Sequence, residues 1–137
     1  YEASQAGVEI DLIVRGICCL IPGQTYSRNI RVTRIVDTFL EHARIWYFGN
    51  GGNPKLFLGS PDWMRRNLYR RIEAVTPILD PDAKQELIDM LSIQLSDKRK
   101  ACFVDENLHN CWKSAHPLKE KVRSQYTFYE YLKERIE

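Results

Sequence analysis

Phe39-Leu40-Glu41-His42-Ala43-Arg44-Ile45-Trp46-Tyr47-Phe48-Gly49-Asn50-Gly51-Gly52, followed by Gly59-Ser60-Pro61-Asp62-Trp63-Met64-Arg65-Arg66-Asn67, is the stretch on which the reading of this chain turns. Arg44 to Phe48 reads as a strand, residues 49–54 as a turn and Lys55 to Leu58 as the returning strand, so Gly59-Ser60 is expected back beside His42. Side chains alternate along an extended chain, which puts His42 and Arg44 on one face. An imidazole exchanges a proton or accepts a phosphoryl group near neutral pH, and a guanidinium grips non-bridging oxygens in a fork. Ser60 is placed to orient a phosphate or the imidazole. Gly49-Asn50-Gly51-Gly52 is too short for a phosphate-binding P-loop and reads as a tight turn.

Working outward, Val8, Ile10, Leu12 and Val14 alternate with charged residues as in a half-buried strand, and Arg15 closes it before Gly16. Arg15 thereby stands where open α/β sheets present ligand-binding groups, at the carboxyl end of a strand. The spacing of Ile35, Val36, Phe39 and Leu40 predicts a helix over Thr33 to Leu40. Asp62 to Leu68 reads as a short helix or turn, and Arg71 to Thr76 as a strand stopped by Pro77. Asp80-Pro81 caps a helix with an apolar stripe at Ala83, Leu87, Ile88, Leu91 and Leu95. Ala101 to Val104 follows as an edge strand, and a last helix has Val122, Tyr126, Tyr129, Leu132 and Ile136 as its inner stripe. Strands alternating with helices make an α/β chain.

The 137 residues carry a formal charge of only +2, but the charge is unevenly placed. Residues 28–71 hold nine basic and three acidic side chains, giving +6, while each flank is −2. A local cationic field of this kind suits a phosphate-rich ligand, with a solvated basic face as the plainer alternative. The four cysteines, 18, 19, 102 and 111, form no C-x-x-C pair, and their spacing to His109 and His116 is irregular for zinc, so no metal site is expected. Reduced thiols without a secretory segment point to the cytoplasm. The apolar runs are too short and too charged to span a bilayer.

With Asp11-Leu12-Ile13-Val14-Arg15-Gly16-Ile17-Cys18-Cys19-Leu20 upstream and Arg70-Arg71-Ile72-Glu73 downstream, these segments closely resemble the C-terminal domain of polyphosphate kinase from about Tyr1 to Ile136. His42-Ala43-Arg44 resembles the histidine-x-lysine signature of the wider phospholipase D superfamily, and Gly59-Ser60-Pro61-Asp62 its glycine-serine-x-asparagine element. Arginine for lysine and aspartate for asparagine are departures that favour the kinase over a generic phosphodiesterase.

The resemblance implies an α/β, phospholipase D-like half with a mixed β-sheet flanked by helices. It implies a single C-terminal domain over residues 1–137, cut at its N-terminal side from a larger enzyme. That enzyme moves the terminal phosphate of ATP reversibly onto inorganic polyphosphate with Mg2+, through a phosphohistidine in the preceding, absent domain. The Mg2+ ligands are expected there too. The residues matching Arg15 and His42 contact nucleotide phosphates, and His42 acts as catalytic acid/base or phosphate contact; Arg44 and Ser60 are further candidates. ATP or ADP, polyphosphate and the remaining domains of the same chain are the implied partners, with no specific nucleic acid. A homo-oligomer in the cytoplasm, with peripheral membrane association of the full-length enzyme, is implied as well.

Plainer readings stand beside each residue. A histidine at a helix-to-strand junction is often structural, Arg15 is equally suited to a strand-end salt bridge, and Arg44 has Asp62 and Glu73 within sequence reach. Trp46, Tyr47, Phe48 and Phe57 read as core rather than as a base-stacking platform. Arg65, Arg66, Arg70 and Arg71 read mostly as surface charges. The rival function is a non-catalytic module that binds polyphosphate or nucleic acid through the basic strip.

Overall fold

A computed structural model describes residues 1–136. Its elements are α1 (Glu2–Gln5), β1 (Ile10–Ile13), β2 (Ile30–Ile35), β3 (Ile45–Phe48), β4 (Lys55–Gly59), α2 (Arg65–Arg70), β5 (Val75–Pro77), α3 (Pro81–Ser96), β6 (Ala101–Val104), β7 (Asn110–Trp112) and α4 (Ser124–Ile136). The fold is the expected α/β type, but its strands divide between two sheets. Two compact units result, one formed by residues 1–39 with those from 92 onward and the other by Leu40–Leu91.

The first unit holds the mixed sheet, in the order β1-β2-β6-β7. β1 and β2 are parallel, with Ile10 opposite Ile30 and Ile13 opposite Thr33, and the other two pairings are antiparallel. Ile30, Val32 and Val104 form the buried core, against which Ile10, Leu12, Val14, Cys18 and Leu20 pack. The helix expected over Thr33 to Leu40 is instead strand β2 and the coil after it. Ile30, Val32, Thr33 and Ile35 are β-branched and suit a strand hydrogen-bonded on both sides, which overrides the helical spacing of the next few apolar residues. Val36, Phe39 and Leu40 are exposed.

β6 is an interior strand rather than the expected edge. Its outer neighbour β7 is three exposed residues without a strand signal, brought back by a turn in which Asp105 Oδ1 accepts the amides of Asn107 (2.9 Å) and His109 (2.7 Å). The inner stripe of α4 is also shifted from expectation: Tyr126, Tyr129 and Ile136 are exposed, while Ser124 is buried and Phe128, Tyr131 and Leu132 are half-buried. Asp97 sets that phase. Its fully buried carboxylate accepts the Ser124 amide on Oδ2 (2.7 Å) and the amides of Arg99 and Lys100 on Oδ1 (both 2.8 Å). A polar first turn, not an apolar one, therefore faces inward.

Asp37 ties sequence-distant parts of this unit together. Its side chain is almost wholly buried and grips Arg123 through both oxygens, at 2.6 and 2.8 Å, with Lys100 Nζ at 3.9 Å. The Arg123 hydrogen bonds hold its pKa below the ordinary carboxylate value. The unfolded chain therefore binds the proton first, so the pair's stabilisation is complete above about pH 4 and fades as pH falls through the lower folded-state pKa. We expect Asp37→Asn to cost about 2 kcal/mol at neutral pH, between the values for exposed and buried pairs. Thermal midpoints measured from neutral to acidic pH should show the two proteins converging as Asp37 becomes protonated.

The second unit holds an antiparallel sheet, β3-β4-β5, with Ile45 opposite Leu58 and Gly59 opposite Val75. The expected hairpin is present, and Leu56 is its buried centre. Gly51 (φ +60°) and Gly52 (φ +90°) supply the left-handed backbone of the turn. Of the four aromatics assigned to a core, Trp46 and Phe57 face each other half-buried, whereas Tyr47 and Phe48 are exposed. Asp80 Oδ1 caps α3 by accepting the Ala83 amide at 2.8 Å. Ala83 itself is exposed, and the half-buried stripe begins at Leu87.

Candidate functional site

In the second unit, His42 lies in the extended coil just before β3, not on the strand itself. The ladder reaches back only to Arg44, whose carbonyl accepts the Gly59 amide at 3.1 Å. Arg44 is turned onto Asp62, donating from Nε (3.1 Å) and Nη2 (3.0 Å) to the same Oδ1, and its Nη1 donates to the His42 carbonyl at 2.7 Å. Asp62 and Arg44 thus clamp the backbone of His42 while its imidazole stays exposed. The two elements quoted from sequence are joined by this ion pair.

Ser60 is also committed to a neighbour. Its Oγ donates to Glu73 Oε2 and accepts the Ala74 amide at 3.1 Å, and Glu73 Oε1 accepts from Asn67 Nδ2 at 2.7 Å. Hydrogen bonds from Ser60 and then Asn67 hold the Glu73 carboxyl below its ordinary pKa, so it is an anion at neutral pH. Gly59 is needed for packing: a β-carbon there would lie 2.6 Å from the Trp46 ring and 2.9 Å from Val75. The Gly59-Ser60 pair therefore braces the hairpin end and fixes the segment that carries Asp62.

In the first unit, Arg15 lies two residues beyond β1, exposed and in no ion pair among the described residues. The backbone around it is held by Arg34, which sequence reasoning missed. Arg34 Nη2 donates to the Gly16 carbonyl (3.1 Å), Nε to that of Val14 (3.4 Å) and Nη1 to Asn110 Oδ1 (2.9 Å). Once β2 is assigned as a strand parallel to β1, the available signal is plain: Arg34 follows Thr33, which is paired with Ile13. Arg65, Arg66, Arg70 and Arg71 are exposed on and just after α2 and make no salt bridge among the described residues.

Of the residues singled out in the sequence, the His42 imidazole in one unit and the Arg15 guanidinium in the other are exposed and suited to phosphate, each on a backbone held by a neighbouring arginine. The two carboxylates of the segment that follows the hairpin are already engaged, Asp62 with Arg44 and Glu73 with Ser60 and Asn67. No group of three or more His, Cys, Asp or Glu side chains among the described residues is placed to hold a metal ion. The described residues do not fit Mg2+. No helix among the described residues is long and apolar enough to cross a membrane.

Residues 1–125 match the family described as polyphosphate kinase C-terminal domain 2. The chain belongs to that family. It is 60% identical over 102 residues to a polyphosphate kinase of Synechocystis, covering 74% of this chain and 14% of that protein. It is 46% identical over 134 residues to the polyphosphate kinase of Escherichia coli K12, covering 97% of this chain and 19% of that one. The crystal structure of polyphosphate kinase from Porphyromonas gingivalis superposes with a TM-score of 0.93 at 57% identity, over 98% of this chain and 20% of its own. The phospholipase D-like half expected from sequence is therefore the fold observed. The chain spans only about a seventh to a fifth of the length of the relatives it matches.

Proposed function

We propose that the chain is the C-terminal, phospholipase D-like half of an enzyme that transfers the terminal phosphate of ATP reversibly to inorganic polyphosphate, through a phosphohistidine in the preceding half. The observation that carries this reading is the family match over residues 1–125. Geometry supports a division of labour among the candidates. His42 is the catalytic residue of this half, an exposed imidazole that gives or takes a proton, or donates a hydrogen bond, as charge moves between phosphates. Arg15, in no ion pair among the described residues, stabilises charge on the phosphate oxygens of ATP or ADP. Arg44 and Ser60 position: Arg44 holds the His42 backbone against Asp62, and Ser60 braces the same segment through Glu73. Mg2+ belongs to the nucleotide and the preceding half. In full length the enzyme is a cytoplasmic homo-oligomer, its four thiols in this part being free.

The decisive assay is ATP-dependent polyphosphate synthesis, and its reversal with ADP, by the full-length parent. Residues 1–137 alone should turn over no ATP, because the phosphohistidine is supplied elsewhere. Contaminant-free turnover by this piece would overturn that assignment and make His42 the nucleophile.

A further inference from the structure

Arg34 stands where the pattern of the sheet calls for an apolar residue. It lies in β2, paired to β1 on one side and β6 on the other, and Val32, two residues back on the same face, is buried in the core. A half-buried guanidinium at such a position needs acceptors for its donors. The three it has are all neutral: the carbonyls of Val14 and Gly16, at 3.4 and 3.1 Å, and Asn110 Oδ1, at 2.9 Å. Its donors are thus directed mainly at backbone, and the two carbonyls belong to the residues on either side of Arg15. Little else restrains that loop. The β1–β2 ladder ends with the Val14 amide on the Thr33 carbonyl at 2.9 Å, a β-carbon on Gly16 would meet nothing within 4 Å, and Ile17 is 80% exposed. Among the described residues, Arg34 makes the only hydrogen bond to residues 15–17.

The structure assigns Arg34 a place in the reaction: it is a positioning residue that aims the Arg15 guanidinium at phosphate. Peptide units are planar, so gripping the Val14 carbonyl fixes the plane that enters Arg15, and gripping the Gly16 carbonyl fixes the next plane but one. With the backbone held on both sides, the direction in which the Arg15 side chain leaves it is set before substrate arrives. That matters for a bidentate clamp, because both of its N–H groups must meet their oxygens at once, and a small misplacement of a reacting group carries a large penalty in rate. Asn110, on β7 and 76 positions away in the chain, holds the remaining arm of the Arg34 guanidinium and so belongs to the same device. Arg34 touches no substrate in this role, and its effect passes through Arg15. The inference rests on Arg15 handling phosphate in the full-length kinase, and adds the residue that orients it.

The test is a double-mutant cycle on ATP-dependent polyphosphate synthesis by the full-length parent. Arg34→Met keeps an unbranched side chain and removes its donors, and should lower kcat about tenfold while Arg15 is present. In an Arg15→Ala background, itself slowed at least about a hundredfold, the same substitution should change the rate by less than about twofold, because no guanidinium remains to be aimed. Asn110→Ala, at an exposed position, removes one acceptor without touching the core. It should show the same dependence on Arg15 with a smaller loss, about threefold, and it decides the matter if Arg34→Met fails to fold. A loss from either substitution that persists undiminished in the Arg15→Ala background would overturn the positioning role, since a purely structural residue or a separate phosphate contact acts without Arg15. The two readings also fail differently. Arg15→Ala as active as the parent removes phosphate handling by Arg15 and the role of Arg34 with it, whereas a slowed Arg15→Ala beside a fully active Arg34→Met removes the role of Arg34 alone.

Discussion

Replacing His42 by alanine in the full-length parent should lower ATP-dependent polyphosphate synthesis by at least about a hundredfold, the lower end of what a positioned proton donor or acceptor contributes. Nucleotide affinity and the thermal midpoint should change little. The imidazole is exposed, so its removal leaves no cavity, and the backbone at this position is held by Arg44 and Asp62 rather than by the side chain. The rival, a module that only binds polyanions, makes a different forecast for the same protein. There, binding weakens in graded steps as each arginine is removed, with a steep dependence on salt, and His42→Ala is nearly silent. Steady-state rates and nucleotide titrations on one preparation therefore decide between catalyst and binder.

Arg15→Lys should preserve folding yet slow synthesis by about a hundredfold, or roughly 3 kcal/mol in the transition state. A guanidinium clamps two phosphate oxygens in a fixed plane, whereas an ammonium offers one mobile point charge. The structure makes this substitution a clean one, because the loop around Arg15 is held by Arg34 through the Val14 and Gly16 carbonyls, not by Arg15. Lys98→Arg, at an exposed position, is the matched control and should leave the rate unchanged. Equal rates for the two variants would make Arg15 an ordinary surface charge, and a lowered midpoint for Arg15→Lys alone would make it structural.

The α/β character, the hairpin from Ile45 to Gly59 and the capped start of α3 were all legible in the sequence. Each depends on a local signal: alternation, paired glycines, or Asp before Pro. What was not legible depends on partners far away in the chain. Ile35, Val36, Phe39 and Leu40 carry helical spacing, and only hydrogen bonding to β1 on one side and β6 on the other makes Ile30–Ile35 a strand. The phase of α4 is set by a carboxylate 27 positions upstream, Asp97 reaching the Ser124 amide. Around His42, the sequence offered donors and acceptors within reach of one another but not which acceptor each donor takes. Arg44 had both Asp62 and Glu73 in reach; it pairs with Asp62, and Glu73 goes to Ser60 and Asn67. Arg44 and Ser60 are thereby engaged by protein carboxylates, and Arg34 is recognisable only once β2 is known.

The most direct test of the central claim, that this chain is the half opposite the nucleophile, is to locate the phosphohistidine. The full-length parent is incubated briefly with radiolabelled ATP, quenched under alkaline conditions that preserve phosphohistidine, and mapped by peptide mass spectrometry. Label is expected on a histidine outside the segment matched by residues 1–137, with His42 unmodified. Phosphate on His42 would contradict it.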